Sequence, residues 1–477
     1  MNISPSNSFH MEENITPRFF GRLKMILDRY EVSILSLVLS IISVIAFVFY
    51  YQNGLGLAYN DARSHLDIGR RVVEGLSPGF AQLGSVWLPL THLLMTLTVW
   101  NDFMWHSGLA GALWSMISFV GTGVLIHLFL KELGVGRVGR LTGVFLFAAN
   151  INILYLQSTA MTELVLLGTM TAAAYFLLLF YTRGILSFLI LSSFFVMLAT
   201  LVRYDGWFLL FFSSLMIFFS SFKEGGYRKA EGRFILFATL GGFGVFLWLL
   251  WNLLIFGDPL FFAFGPYSAH TQQQDLQSAG MLPTKGDWFL SAKMYFYALA
   301  YNTNAWVLAL GFVGTILLFL DRRVSRNARF ASLALFAPLF FNILALYLGH
   351  SVLFIQGLSG DTWFNIRYGI MMMPSVAIFA GFLMERMAGI RSVLVGTLAL
   401  VFFFQFSSAD AVTIDDGRVG SSQKNVTEVS TWLREHAGGR DGYILISAAS
   451  HDSIIFSSGL PMKRFIREER GILSPRD

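Results

Sequence analysis

Long apolar runs separated by short polar turns dominate this chain. Runs lie near 33–51, 108–130, 141–157, 161–182, 185–202 and 206–222, and then near 234–256, 303–320, 330–349, 367–385 and 391–406. A helix needs about 20 apolar residues to cross a bilayer, so the pattern predicts about eleven transmembrane helices. Two interruptions, 52–107 and 257–302, are too long to be turns, and loops of that length commonly carry structure or function. A helix is expected over 62–74 in the first. Segment 86–106 is apolar but contains Pro89, three Trp and two His, which reads as a helix lying in the membrane interface.

The chain after residue 406 differs in kind. A helical stretch at 426–436 is followed by a strand-like run at 443–450 and a short apolar run at 454–456. Three regions result: a polar and basic segment 1–32, a transmembrane domain 33–406, and a small soluble α/β segment 407–477. The expected fold class is an all-α polytopic membrane protein with a small α/β C-terminal segment.

Composition agrees with the pattern. Hydrophobic residues make up 55% of the 477 and charged residues 13%, against about 25% charged in soluble proteins. Soluble globular, fibrous and disordered classes are excluded. The absence of Cys excludes disulfides and thiolate chemistry. The net charge of +5 does not indicate nucleic acid, because basic residues mark cytoplasmic loops. With the N-terminus inside, the cytoplasmic segments hold 18 Lys and Arg and the opposite side, up to residue 406, holds 7. The rule therefore places the N-terminus in the cytoplasm and the C-terminal segment outside the inner (plasma) membrane.

That orientation collects chemistry on the outer side. Ionisable residues beside spans are costly and mark functional sites by default. Asp61 (YNDARSHLD) follows the first span, Glu163 (STAMTEL) opens the fourth, Asp205 (LVRYDGW) opens the sixth, and Asp361 precedes the tenth within GDTWFNIRYG. These groups reach one depth and are expected to line a common cavity with Tyr204 and Tyr368. Glu163 and Asp205 also sit where a carboxylate caps a helix. Arg367 at a helix start has the unfavourable sign for the dipole, which suits a bound anion. Arg203, Lys293 and His65, one helical turn from Asp61, are further anion-binding candidates.

These features resemble the GT-C superfamily of membrane glycosyltransferases. The stretch YNDARSHLDIGRRVVEGLSPGFAQLGSVWLPLTHLL is similar to the first loop of bacterial members related to protein O-mannosyltransferases and lipid A aminoarabinose transferase. MTE, RYDGW and IRYGIMMMP resemble later landmarks, so the resemblance spans about residues 30–406. It implies an inverting transfer of a sugar from a polyprenyl-phosphate donor to a hydroxyl acceptor at the outer face. Asp61 matches the family's catalytic position, with Arg203, Arg367, His65 and Lys293 as donor-phosphate ligands. No cofactor is expected. Some members carry adjacent acidic residues in this loop, whereas Asn60 and Ala62 flank Asp61 here, so a tightly held divalent cation is not indicated. No D-x-D occurs, which argues against a nucleotide-sugar donor. A transporter or lipid flippase is the alternative, but neither two-half symmetry nor midplane polar helices accompany it.

Overall fold

The computed structural model describes residues 29–265, 268–408, 411–419, 423–446 and 448–467. Its main helices are α1 (Glu31–Gln52), α2 (Asn60–Val73), α3 (Leu109–Glu132), α4 (Arg137–Ala148), α5 (Glu163–Arg183), α6 (Leu186–Thr200) and α7 (Asp205–Phe256). They continue as α8 (Trp288–Thr303), α9 (Ala305–Leu320), α10 (Arg326–Tyr347), α11 (Ile366–Arg386) and α12 (Arg391–Ser408). Beyond them lie α13 (Val412–Val419), α14 (Gln423–Ala437), β1 (Ile444–Ile446), α15 (Ala448–Ser458) and β2 (Phe465–Arg467). All the predicted spans are helical because lipid offers no partner for backbone N–H and C=O groups. The chain is an all-α polytopic membrane protein.

Three spans depart from simple rods. The 52-residue α7 breaks at Gly225 and Gly226, the latter at φ 73°. It folds back there: Phe218 meets Phe234 at 5.9 Å, and Glu224 pairs with both Lys229 and Arg233. α7 therefore supplies the two spans predicted at 206–222 and 234–256. The run 141–157 is not continuous. α4 ends at Ala148, and the Asn150 side chain starts a new turn, Ile151–Leu156, by accepting the Ile153 N–H at 3.0 Å. α8 and α9 meet at 110° across Asn304, whose φ is 71°.

α5 and α11 form the centre of the bundle, with 78% and 94% of their apolar windows buried against 11% for α1. Close approach is built from small residues, as expected where lipid removes the hydrophobic drive between helices. A Cβ on Gly139 of α4 would lie 2.6 Å from the Gly381 carbonyl of α11, and one on Gly143 2.9 Å from the Ala377 carbonyl.

The two ends of the bundle differ. One gathers Glu31 with Arg140 at 3.1 Å, Glu132 with Arg183 at 2.6 Å, and Asp321 with Arg386 at 2.6 Å. The other carries α2, the starts of α5, α7 and α11, and the C-terminal segment. The predicted interfacial helix 86–106 is two short helices, Leu90–Met95 and Asp102–His106. Leu97, Trp100 and Phe103 are exposed while His92, Val99 and Trp105 are buried, so this segment presents one face outward and packs with the other.

In the tail, strand β1 is shorter than the predicted run 443–450, because residues 448–450 already belong to α15. β1 and β2 pair in parallel, with Ile444 opposite Phe465. α15 packs on α2, with Arg71 to Asp452 at 3.4 Å and Trp105 edge-on to Phe456 at 5.8 Å.

Candidate active site

The carboxylate expected to matter most, Asp61, lies in the first turn of α2. It accepts a hydrogen bond from Arg367 Nη2 at 2.7 Å. Arg367 also donates from Nε to Glu163 Oε1 at 3.1 Å. Its Nη1 stands 3.8 Å from Asp416 Oδ2. The same Glu163 oxygen is 3.4 Å from Arg203 Nη1, and Arg203 Nε is 3.4 Å from Asp205 Oδ2. Six charged side chains from five parts of the sequence thus form one chain of ion pairs.

The local sequence explains how a guanidinium comes to be buried there. Asn365 adopts the left-handed region, φ 55°, which Asn tolerates better than most residues, and its Nδ2 donates to the Val352 carbonyl at 3.0 Å. The next carbonyl, Ile366, accepts from Asn302 Nδ2 at 2.7 Å. Gly369 then passes so close to α8 that a Cβ would sit 2.2 Å from the Ala298 carbonyl. This tight entry into α11 turns Arg367 inward. Its guanidinium lies over the Tyr59 ring at 4.9 Å and the Tyr368 ring at 5.5 Å, and Arg203 lies 4.9 Å from Tyr368. Such stacking suits a weakly hydrated planar cation.

Exposure is graded across the cluster. The Asp61 side chain is 41% exposed, against 8% for Arg367 and 0% for Glu163. Asp61 therefore faces solvent while the cations lie deeper. An apolar crevice of about 340 Å³ opens along α7, lined by Trp207, Leu210, Phe211 and Phe234 among others.

Not every expected residue joins. Tyr368 does, as a stacking platform. Tyr204 packs instead against Trp207 and Phe262, at 5.3 and 6.0 Å. Lys293 is exposed on α8, and Asp361 is exposed in the loop before α11. Neither has a contact to the cluster. His65 is buried, and its Nδ1 lies 2.8 Å from His92 Nε2, with the Trp87 ring tilted against it at 4.6 Å. Burial first, then Arg367 and Arg203, push its pKa down to about 3. A neutral ring turned toward His92 does not suit the phosphate-binding role assigned to it.

Tyr59 and Asp416 are additions that the spacing of the spans does not single out. Tyr59 donates to Asp416 Oδ2 at 2.9 Å. Burial and the adjacent Asp416 charge hold its phenol well above its ordinary pKa, so it remains a donor. A signal for Asp416 exists in the sequence: TIDDGR places two acids just after the last span.

Among the described residues, no group of three or more His, Asp or Glu side chains is disposed to hold a metal ion. Asp61, Glu163 and Asp416 already face the Arg367 guanidinium.

No protein-family model and no curated protein matches the chain. Solved structures do match in fold. The oligosaccharyltransferase of Archaeoglobus fulgidus in complex with zinc and sulfate aligns with TM-score 0.54 at 13% identity, over 90% of this chain and 62% of that one. The same enzyme tethered to an acceptor peptide containing the NVT sequon aligns with TM-score 0.58 at 11% identity, over 92% and 64%. ArnT from Cupriavidus metallidurans, bound to undecaprenyl phosphate, aligns with TM-score 0.57 at 10% identity, over 90% and 87%. The chain thus spans less than two thirds of the archaeal enzyme and most of ArnT. With its long first loop, buried central helices and C-terminal tail, the chain shares the fold of the archaeal oligosaccharyltransferase and of ArnT.

Proposed function

We propose that the protein is an inverting glycosyltransferase that moves a sugar from a polyprenyl-phosphate donor to a hydroxyl acceptor at the outer face of the inner membrane. The observation that carries this reading is the 2.7 Å contact between Arg367 Nη2 and the half-exposed Asp61, with Arg203 held on the same Glu163 oxygen. A general base and a two-arginine anion site stand side by side.

The reaction divides naturally between them. The acceptor oxygen bonds to the anomeric carbon as the bond from that carbon to the phosphate oxygen breaks. The bonding pair leaves with the lipid phosphate, and the acceptor proton passes to Asp61. The growing phosphate charge falls to Arg367 and Arg203, whose orientation is fixed before the reaction begins. The transition state is oxocarbenium-like. An isoprenoid chain would enter the bilayer along the apolar crevice lined by Trp207 and Phe211 on α7.

The orientation rests on the positive-inside rule. The loops at the end that carries Arg140, Arg183 and Arg386 hold the excess of Lys and Arg, so that end is assigned to the cytoplasm and α2 with the tail to the outside.

Purified protein incubated with a panel of polyprenyl-phosphate sugars and hydroxyl acceptors, followed by mass analysis, tests the reading. Sugar transfer is expected, and Asp61→Asn should reduce turnover by about 10²–10⁴ without loss of expression. Donor lipid that crosses the bilayer with its sugar intact would indicate transport instead.

A further inference from the structure

Asp416 lies in α13, beyond the last span, yet its side chain is only 3% exposed and points into the cluster. Fastening the tail does not require it. Arg71 and Asp452 join α2 to α15, the Met462 N–H reaches Glu74 at 3.2 Å, and Asn152 Oδ1 accepts from the Thr413 hydroxyl and N–H at 2.8 and 3.1 Å. Asn152 donates in turn to the Asn302 carbonyl at 3.1 Å, and Asn302 holds Ile366. The turn before Arg367 and the start of α13 are thus pinned to one buried amide network. That network fixes the distance between Arg367 and Asp416.

The guanidinium meets a different carboxylate at each nitrogen: Nε at Glu163, Nη2 at Asp61 and Nη1 at Asp416. The Nε and Nη2 hydrogen bonds fix the plane of the rigid fork. Asp416, 3.8 Å from Nη1, adds a third carboxylate charge at the remaining nitrogen and holds that side of the fork by electrostatic attraction.

We propose that Asp416, itself held by Tyr59, is a positioning residue that steadies the Nη1 side of Arg367 and offsets part of its charge beside Asp61. The inference rests on the transferase reading. Asp61 pairs with Arg367, and through Arg367 the set extends to Asp416, Glu163, Arg203 and Asp205. Removing one negative charge from this set makes the surroundings of Asp61 more positive, so its carboxylate is harder to protonate. A merely structural tie would not act on that equilibrium.

The test is the pH–rate profile of full-length Asp416→Asn and Tyr59→Phe under saturating donor. Asp416→Asn is expected to lower kcat about tenfold and to move the acidic limb of kcat to lower pH. Asp416→Glu should restore part of both. Tyr59→Phe should leave the limb in place, because it removes no charge, while lowering kcat severalfold. Asp441→Asn, on the exposed tail surface, serves as the control. If Asp416→Asn does not fold, Tyr59→Phe decides, and kcat equal to that of the unaltered protein would overturn the inference. Asp416→Asn matching the unaltered protein in kcat and limb overturns it too. A protein that transfers no sugar from any donor would instead overturn the transferase reading itself.

Discussion

Glu163 Oε1 touches both arginines, at 3.1 Å from Arg367 Nε and 3.4 Å from Arg203 Nη1. One carboxylate oxygen therefore sets the spacing of the two cations. The same carboxylate competes with any phosphate that approaches them. Replacing it as Glu163→Gln should lower the KM for donor, because the competing charge is gone, and lower kcat about tenfold, because the spacing is lost. Steady-state kinetics on the lipid-linked donor separates the two effects.

Arg367 should tolerate no substitute. Arg367→Ala leaves Glu163 buried without its nearest cation, and breaking a buried pair from one side costs about 3–5 kcal/mol. Arg367→Lys retains the charge but cannot face three carboxylates in one plane. We expect Arg367→Lys to fold with a lowered Tm and to raise donor KM at least tenfold, checked by thermal melting in detergent alongside donor titration.

The His65–His92 pair predicts a pH dependence of stability. His65 is held near 3 and His92 well below its ordinary value, both mainly by burial. In the unfolded chain each titrates near 6.5. Between those limits the unfolded state binds more protons, so stability is fully present above about pH 6.5 and falls as the pH drops toward 3. Each histidine contributes a slope of up to about 1.4 kcal/mol per pH unit. Tm measured from pH 8 to pH 4 should fall, and His65→Gln should flatten the decline even if it lowers Tm at pH 8.

Gly369 offers a steric test. Gly369→Ala would place a methyl group 2.2 Å from the Ala298 backbone. Overpacking of this kind costs about 1–3 kcal/mol, and here it also displaces Arg367, so Tm and activity should fall together. Gly396→Ala on α12, where nothing lies within 4 Å, should leave both unchanged or raise Tm slightly.

The transmembrane plan was legible because an 18–24-residue apolar run has few other uses. Asp61, Glu163, Arg203, Asp205 and Arg367 were legible for a related reason. A charge at the edge of a span is expensive, and the alternation of sides put all five at one depth. What failed was direction. Lys293 and Asp361 share that depth but point outward, and Tyr204 turns to Trp207, because depth says nothing about which face of a helix or loop a side chain occupies. The break at Asn150 was hidden since Asn150 and Asn152 fall inside an apolar run, and their role depends on Asn302, far away in sequence. Asp416 was missed because the tail was read as a unit of its own, whereas its partners are Tyr59 and Arg367.

The Tyr59–Asp416 hydrogen bond joins positions 357 residues apart. A chain emerging from the ribosome places Asp61, Glu163, Arg203 and Arg367 in the membrane before Asp416 has been synthesised. If Asp416 steadies Arg367, the protein reaches its full rate only when α13 docks on the finished bundle. The last part of the chain to be made then completes the site, and the end of translation times the rise to full activity.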